Sequence, residues 1–362
     1  MFYSRLIRPV LFRLDSEKAH HSTMMLARYS GSNSLLKSLA HSLYDYQSDR
    51  LGQMLSGIFF DNPVGLAAGF DKNAEAVGLY ESLGLGYAEI GSITALPSSG
   101  NPSPRAFRLP KDHALINRMG LNNEGASRIA ERIRGKIAGI PIGINIAKTH
   151  DPSIFGKKAV EDYLASYRIA APVADYVTVN ISCPNTSEGK TFEDPDALKG
   201  LLDALFDERT SHDPPLFIKL SVDLNESETH DLLKVCEKYD VDGYVCGNTS
   251  NNRTNLTTPQ GKLHEIGRGG LSGRPVAGAA NRLIRTVRTQ VPDERTIIGV
   301  GGIDSFGAAL DKFREGADLI QIYTGLIYEG PGLIKQINRH LDQFLAQHDL
   351  GMPELRKYLQ NN

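Results

Sequence analysis

Eight short, nearly continuous apolar runs, each followed by a helix-patterned stretch, constrain this chain more than any other feature. The runs are PVGLAAGF (63–70), YAEIGSI (87–93), PIGINIA (141–147), YVTVNIS (176–182), PLFIKLS (215–221), GYVCGNT (243–249), TIIGVGGI (296–303) and LIQIYT (319–324). A strand with one wet face alternates apolar and polar residues; a run that is apolar at nearly every position needs cover on both faces, as in a parallel strand flanked by helices. Helical patterns follow at about 74–83, 123–138, 158–171, 196–209, 225–238, 275–290, 305–315 and 333–348. Eight such units predict a (β/α)8 TIM barrel. A doubly wound sheet is the competing arrangement, weakened because no GxGxxG follows the first strand and opens a helix.

The 362 residues exceed the ~250 of a simple α/β barrel. We expect a helical extension over 1–45 and a barrel over 46–362. Residues 1–14 place Tyr3, Ile7, Val10, Leu11 and Leu14 on one helical face, with Arg5, Arg8 and Arg13 interspersed. Two further helical stretches follow, one over about 16–29 and one carrying Leu35, Leu36, Leu39 and Leu43. Neither an 18-residue apolar run nor a signal-peptide pattern is present. The extension reads either as a module lying on a membrane surface or as a cap packed on the barrel. A formal net charge of −2 argues against a nucleic-acid footprint. Three cysteines without a CxxC pair argue against a disulfide scaffold and a zinc site, and ten histidines show no metal-ligand spacing.

In a barrel the active site lies at the C-terminal ends of the strands. There the sequence gathers Gly69, Asp71 and Lys72, then Ser92 and Thr94, Asn145, Asn180 and Ser182, Lys219, Asn248 and Thr249, Gly301 and Gly302, and Tyr323, Thr324 and Gly325. A single polar residue in an apolar strand is usually a satisfied structural group, but so many converging on one mouth point to a ligand site. Glycines after strands seven and eight suit a phosphate. Asparagines offer donors and acceptors to a flat heterocycle, and Lys219 favours an electron-rich group. Together these suggest flavin mononucleotide. Cys236 and Cys246 read as small buried hydrophobes. Cys183, in NISCPNT, follows a strand end on the expected reactive face, where a thiol can serve as a base. The long connections after strands two and six read as unstructured binding loops or lids.

The stretches GLAAGFDKNAE, GSIT, NPSPRAFRLP, ALINRMGLNNEG, NISCPNT, GNTSNNR, GGLSGRPV, IIGVGGI and IQIYTG resemble the quinone-dependent (class 2) dihydroorotate dehydrogenases, and the resemblance runs over nearly the whole chain. It implies oxidation of (S)-dihydroorotate to orotate, with FMN reduced and then reoxidised by ubiquinone or menaquinone, in pyrimidine biosynthesis. It implies FMN contacts from Ala68, Gly69, Lys72, Ser92, Asn145, Asn180, Lys219, Gly273, Gly302, Tyr323 and Thr324. Substrate contacts would come from Lys72, from Asn117, Arg118, Met119, Gly120 and Leu121, and from Asn180, Asn185, Asn248 and Thr249. His20 and Arg108 match positions at the family's quinone entrance. The extension implies a peripheral protein on the cytoplasmic face of the inner membrane. Two positions depart from the pattern: Cys183 stands where this class usually has serine and the soluble class cysteine, and Gly247 where threonine is common. Cys183 is nevertheless the expected catalytic base. The alternatives are a soluble dihydroorotate dehydrogenase using fumarate or NAD, a non-redox phosphate-binding isomerase or lyase, and a non-enzymatic binding module.

Overall fold

The computed structural model describes residues 3–135, 138–182 and 192–362. The eight apolar runs close into a parallel barrel. Its strands are β1 (Val64–Leu66), β2 (Tyr87–Ile93), β3 (Ile142–Ile146), β4 (Tyr176–Asn180), β5 (Leu216–Leu220), β6 (Gly243–Cys246), β7 (Thr296–Val300) and β8 (Leu319–Ile322). Each pairs with its sequence neighbour, and β8 closes on β1 with Ile320 opposite Val64. Every β2, β3 and β4 residue is buried, as both-face cover requires. Helices Ala126–Ile133, Lys157–Ala170, Pro195–Glu208, Glu226–Cys236, Ala277–Arg288, Phe306–Glu315 and Gly332–Gln347 carry apolar residues that join the strands in the main core. Cys236 and Cys246 are both fully buried.

The structure departs from the sequence expectation in three places. The helix expected over 74–83 is instead two 3-10 turns, Val77–Leu79 and Glu81–Leu83. Asp71 takes the backbone N–H groups of Glu75 and Ala76 and the Tyr80 hydroxyl, and Gly78 lies hard against Gly31 of the extension, so there is no room for a regular helix. The two long connections are not unstructured. Ala106–Leu109, Ala114–Asn117 and Gly270–Gly273 pair into a three-stranded antiparallel sheet beside the mouth. A hairpin, Gln53–Leu55 with Ile58–Phe60, also precedes the barrel. Its Phe60 enters the N-terminal end and packs with Tyr87, Tyr176, Phe217, Val245, Ile298 and Leu319. The Phe60 and Tyr87 rings meet edge to face at 5.3 Å.

At the N-terminus, a π turn (Tyr3–Ile7) leads into helices Arg8–Leu11, Ser16–Gly31 and Ser34–Tyr44. The second and third are capped by Asp15 and Asn33, whose side-chain oxygens accept from the first free N–H groups. Ala19 and Met24 are buried against the barrel, while Met25, Leu26, Leu35, Leu39 and Leu43 are exposed. Among the described residues, no helix is long and apolar enough to cross a membrane.

Phe60 fills the barrel floor, so truncating it leaves a cavity ringed by aromatic side chains. Phe60→Ala is expected to lower unfolding free energy by about 3–5 kcal/mol, measured by urea denaturation.

Candidate functional site

Inward-facing residues stack in layers from the floor upward. Tyr87, Tyr176 and Phe217 lie on the floor. Two residues further along their strands come Glu89, Thr178 and Lys219, and here the barrel turns polar. Glu89 is completely buried. Its Oε1 accepts from Asn145 Nδ2 at 2.8 Å, and its Oε2 accepts from Gln321 Nε2 at 2.9 Å and from the Thr178 hydroxyl at 3.1 Å. Lys219 Nζ lies 3.6 Å from Oε1. Buried charges persist only when paired and hydrogen-bonded in this way. Glu89 and Gln321 are not among the site residues expected from the sequence. The signal for both was a lone polar side chain inside an otherwise apolar run, YAEIGSI and LIQIYT.

The next layer opens to solvent. Asn145 relays upward by accepting from the Ser92 hydroxyl, and Asn180 Nδ2 donates to Ser92 Oγ at 3.2 Å. Asn248 Nδ2 donates to Ser182 Oγ at 2.9 Å. Asn145 is thus fully buried beneath Ser92, whereas Ser92, Asn180, Lys219, Asn248 and Thr249 line one cavity. This cavity, about 1230 Å³, also takes in Ala68, Gly69, Lys72, Asn117, Met119, Gly120, Leu121, Gly273, Gly302, Tyr323 and Thr324. Arg118 is turned away: its guanidinium donates to the carbonyls of Ile266 and Arg268 and lies 4.7 Å over the Phe107 ring. Its backbone is engaged as well, the N–H donating to Arg105 O at 2.8 Å and the carbonyl accepting from Asn101 Nδ2 at 2.9 Å, so Arg118 does not join the cavity lining. Cys183 and Asn185 lie outside the described residues.

On one flank the backbone is bare. A Cβ on Gly302 would lie 2.4 Å from that of Ala277, the first residue of helix Ala277–Arg288. Ser272 Oγ and Thr324 Oγ1 sit 2.9 Å apart nearby. Close backbone, hydroxyls and a helix start suit a phosphate. The floor of Ser92, Asn180 and Lys219 suits the polar edge of a flat ring.

On the other flank, Lys72 Nζ donates to the Gly69 carbonyl at 2.8 Å. Burial, reinforced by Arg105, pushes its pKa down to about 8. The Tyr323 hydroxyl also donates to Gly69 O, at 3.2 Å, and burial raises its pKa to about 12. The Phe70 ring meets Tyr323 edge to face on one side and His20 on the other, each at 5.4 Å. Burial and the nearby Lys72 lower His20 to about 4, so the ring is neutral at pH 7. Its Nε2–H donates to the Phe70 carbonyl at 2.8 Å, which leaves Nδ1 as an acceptor. From here the same cavity continues between the N-terminal helices, past Phe12, Met24, Ala27, Leu36, Leu39 and Leu43. Arg108 sits at this end, donating to the carbonyls of Leu11 and Leu14 with its guanidinium 4.7 Å over Phe12.

The chain and its fold are matched in known proteins. Residues 50–345 match the family model described as dihydroorotate dehydrogenase, and the chain belongs to that family. Within it, the similarity is to the quinone-dependent enzymes. A dihydroorotate dehydrogenase (quinone) of Chloroflexus aurantiacus is 42% identical, covering 94% of this chain and 96% of the relative. That of Haloarcula marismortui is 40% identical, covering 94% and 95%. The crystal structure of the Eimeria tenella enzyme in complex with ferulenol superposes with a TM-score of 0.81 at 31% identity, covering 92% of this chain and 93% of that one. The glycine at position 247 has a local cause. Its φ is +137°, and a Cβ there would lie 2.2 Å from the Val300 carbonyl oxygen, so this backbone has no room for a threonine.

Removing the Glu89 side chain would strand the Lys219 ammonium in the barrel. Glu89→Ala is expected to destabilise the protein by about 3–5 kcal/mol in chemical denaturation, whereas Glu89→Gln, which keeps the shape and one of the two acceptor oxygens, costs less.

Proposed function

We propose that this chain oxidises (S)-dihydroorotate to orotate on bound FMN and passes the electrons to a membrane quinone, ubiquinone or menaquinone, as a step of pyrimidine biosynthesis. The observation that carries the reading is the single cavity, polar in the barrel mouth and apolar between the helices of the extension. A polar substrate and an apolar acceptor can then meet one cofactor from opposite ends. The residues fit FMN. Gly273, Gly302 and Thr324 would hold the phosphate, while Ala68, Gly69, Ser92, Asn180 and Lys219 would flank the ring, with Asn145 fixing Ser92 from below. When bound, FMN supplies the hydride acceptor.

Lys72 pairs with the substrate carboxylate, and Asn117, Asn180, Asn185, Asn248 and Thr249 read the polar edges of the pyrimidine ring by paired hydrogen bonds. Cys183 takes the proton from the ring carbon beside the carbonyl as the neighbouring carbon gives up its hydride. Lys219, held by Glu89, stabilises negative charge developing next to it. His20, neutral, and Arg108 face the quinone end. Residues 1–45 form a module whose exposed Leu35, Leu39, Leu43, Met25 and Leu26 rest on the membrane surface, peripheral to the cytoplasmic leaflet, while the barrel over 46–362 stays in water.

Anaerobic addition of dihydroorotate to the purified protein is expected to bleach the flavin absorbance, and a quinone to restore it. Restoration by fumarate or NAD and not by quinone would favour the soluble type of enzyme, and a colourless protein would refute a flavin reaction altogether. In stopped flow, Cys183→Ala is expected to retain FMN and slow flavin reduction by roughly 10²-fold or more. An unchanged rate and pH profile would remove Cys183 as the base. The carboxylate pairs only with the Lys72 ammonium, whose pKa is about 8. Orotate affinity is therefore full below pH 8 and declines above it, and Lys72→Met abolishes that dependence in a titration of binding against pH.

A further inference from the structure

Lys312, on helix Phe306–Glu315, is one of the largest fully buried side chains, only 1% exposed. Its Nζ donates to the Ala277 carbonyl at 3.3 Å and to Asn281 Oδ1. Both acceptors lie at the start of helix Ala277–Arg288, and neither is charged. The carboxylates whose charge reaches Lys312, Asp311 and Glu315, are each held by an arginine. Asp311 takes Arg314 at 2.9 Å, and Glu315 takes Arg285 at 2.6 Å. The ammonium thus has neutral acceptors and, among the described residues, no carboxylate within ion-pair distance. Burial lowers its pKa to about 8, which leaves it mostly protonated at neutral pH. A buried cation without a counter-charge is costly, and packing alone would be served better by methionine or leucine.

The location accounts for the charge. Ala277, whose carbonyl Lys312 holds, is the residue against which Gly302 packs so closely that a Cβ would lie 2.4 Å from the Ala277 Cβ. The lysine stem passes beneath Gly299 on β7, the strand that leads into Gly302. Lys312 therefore stands behind the bare backbone that would receive the phosphate. We propose that Lys312 is a positioning residue for the phosphate of FMN. It pins the first turn of helix Ala277–Arg288 against Gly302, and its charge is the buried counterpart of the phosphate dianion. The proposal rests on the reading of this site as an FMN site.

Riboflavin has the same ring system and no phosphate, so it separates the charge from the fold. With the full chain freed of flavin, titrations followed by flavin fluorescence are expected to show wild type preferring FMN to riboflavin. Lys312→Met and Lys312→Gln are expected to weaken FMN about tenfold or more and leave riboflavin unchanged. The glutamine retains a donor for Asn281, so its effect reports the charge. Asn281→Asp avoids an emptied core; it gives Lys312 a carboxylate of its own and is expected to weaken FMN, leave riboflavin unchanged and not lower the melting temperature. Equal losses for both flavins in Lys312→Gln would mean a purely structural lysine and overturn the proposal. So would an undiminished FMN preference in the Lys312 variants and in Asn281→Asp. A wild-type chain that binds neither flavin would overturn the FMN reading along with it.

Discussion

A carboxylate sealed inside the barrel sets the terms for everything above it. Glu89 could not remain charged there alone, and the groups that satisfy it come from four other strands: Asn145 from β3, Thr178 from β4, Lys219 from β5 and Gln321 from β8. Closing the barrel is what brings these strands within reach of one another. The fixed carboxylate in turn orients Lys219 toward the mouth and fixes Asn145, which fixes Ser92. Below this layer the interior is aromatic and apolar; above it, Ser92, Asn180, Asn248 and Thr249 line the cavity. The boundary between packing and chemistry is one residue thick.

Much of the fold was legible because its physics is repetitive. Strands covered on both faces must be apolar throughout, and eight such runs followed by helical patterns leave few topologies. Polar residues at the strand ends, such as Asn180, Lys219 and Asn248, stood out against that background and do converge. What was not legible depended on distant partners or on local geometry. The sheet beside the mouth pairs Gly270 with Asn117, a contact that no local pattern announces. Glu89 looked like one charge in an apolar run because its partners are scattered along the chain. The floor hairpin did carry a local mark, Ser56–Gly57, both at positive φ as a tight hairpin turn requires. Arg118 shows the converse limit: its place in a motif says nothing of which way its side chain turns.

The cavity combines two solvents. Its inner part is lined by amides, hydroxyls and ammonium groups, and its outer part by leucines and a phenylalanine from the extension. His20, Phe70 and Tyr323 stand where the two meet, in ring-to-ring contact. At that junction His20 is neutral and Lys72 has a lowered pKa because both are shielded from water. The same dehydration that tunes these groups strengthens every hydrogen bond offered to a bound ligand.

The floor hairpin and the channel helices lie at opposite ends of the barrel, and one short piece of chain joins them. Along it, Tyr46 and Arg50 bind a single carboxylate, Asp342 of helix Gly332–Gln347, at 2.8 and 3.0 Å, and Ser48 bonds to the same group. In mechanical terms this is a strap riveted at mid-length. A displacement of the helices would meet Asp342 before it reached Phe60. The floor hairpin and the channel helices are thereby anchored separately to the same barrel helix.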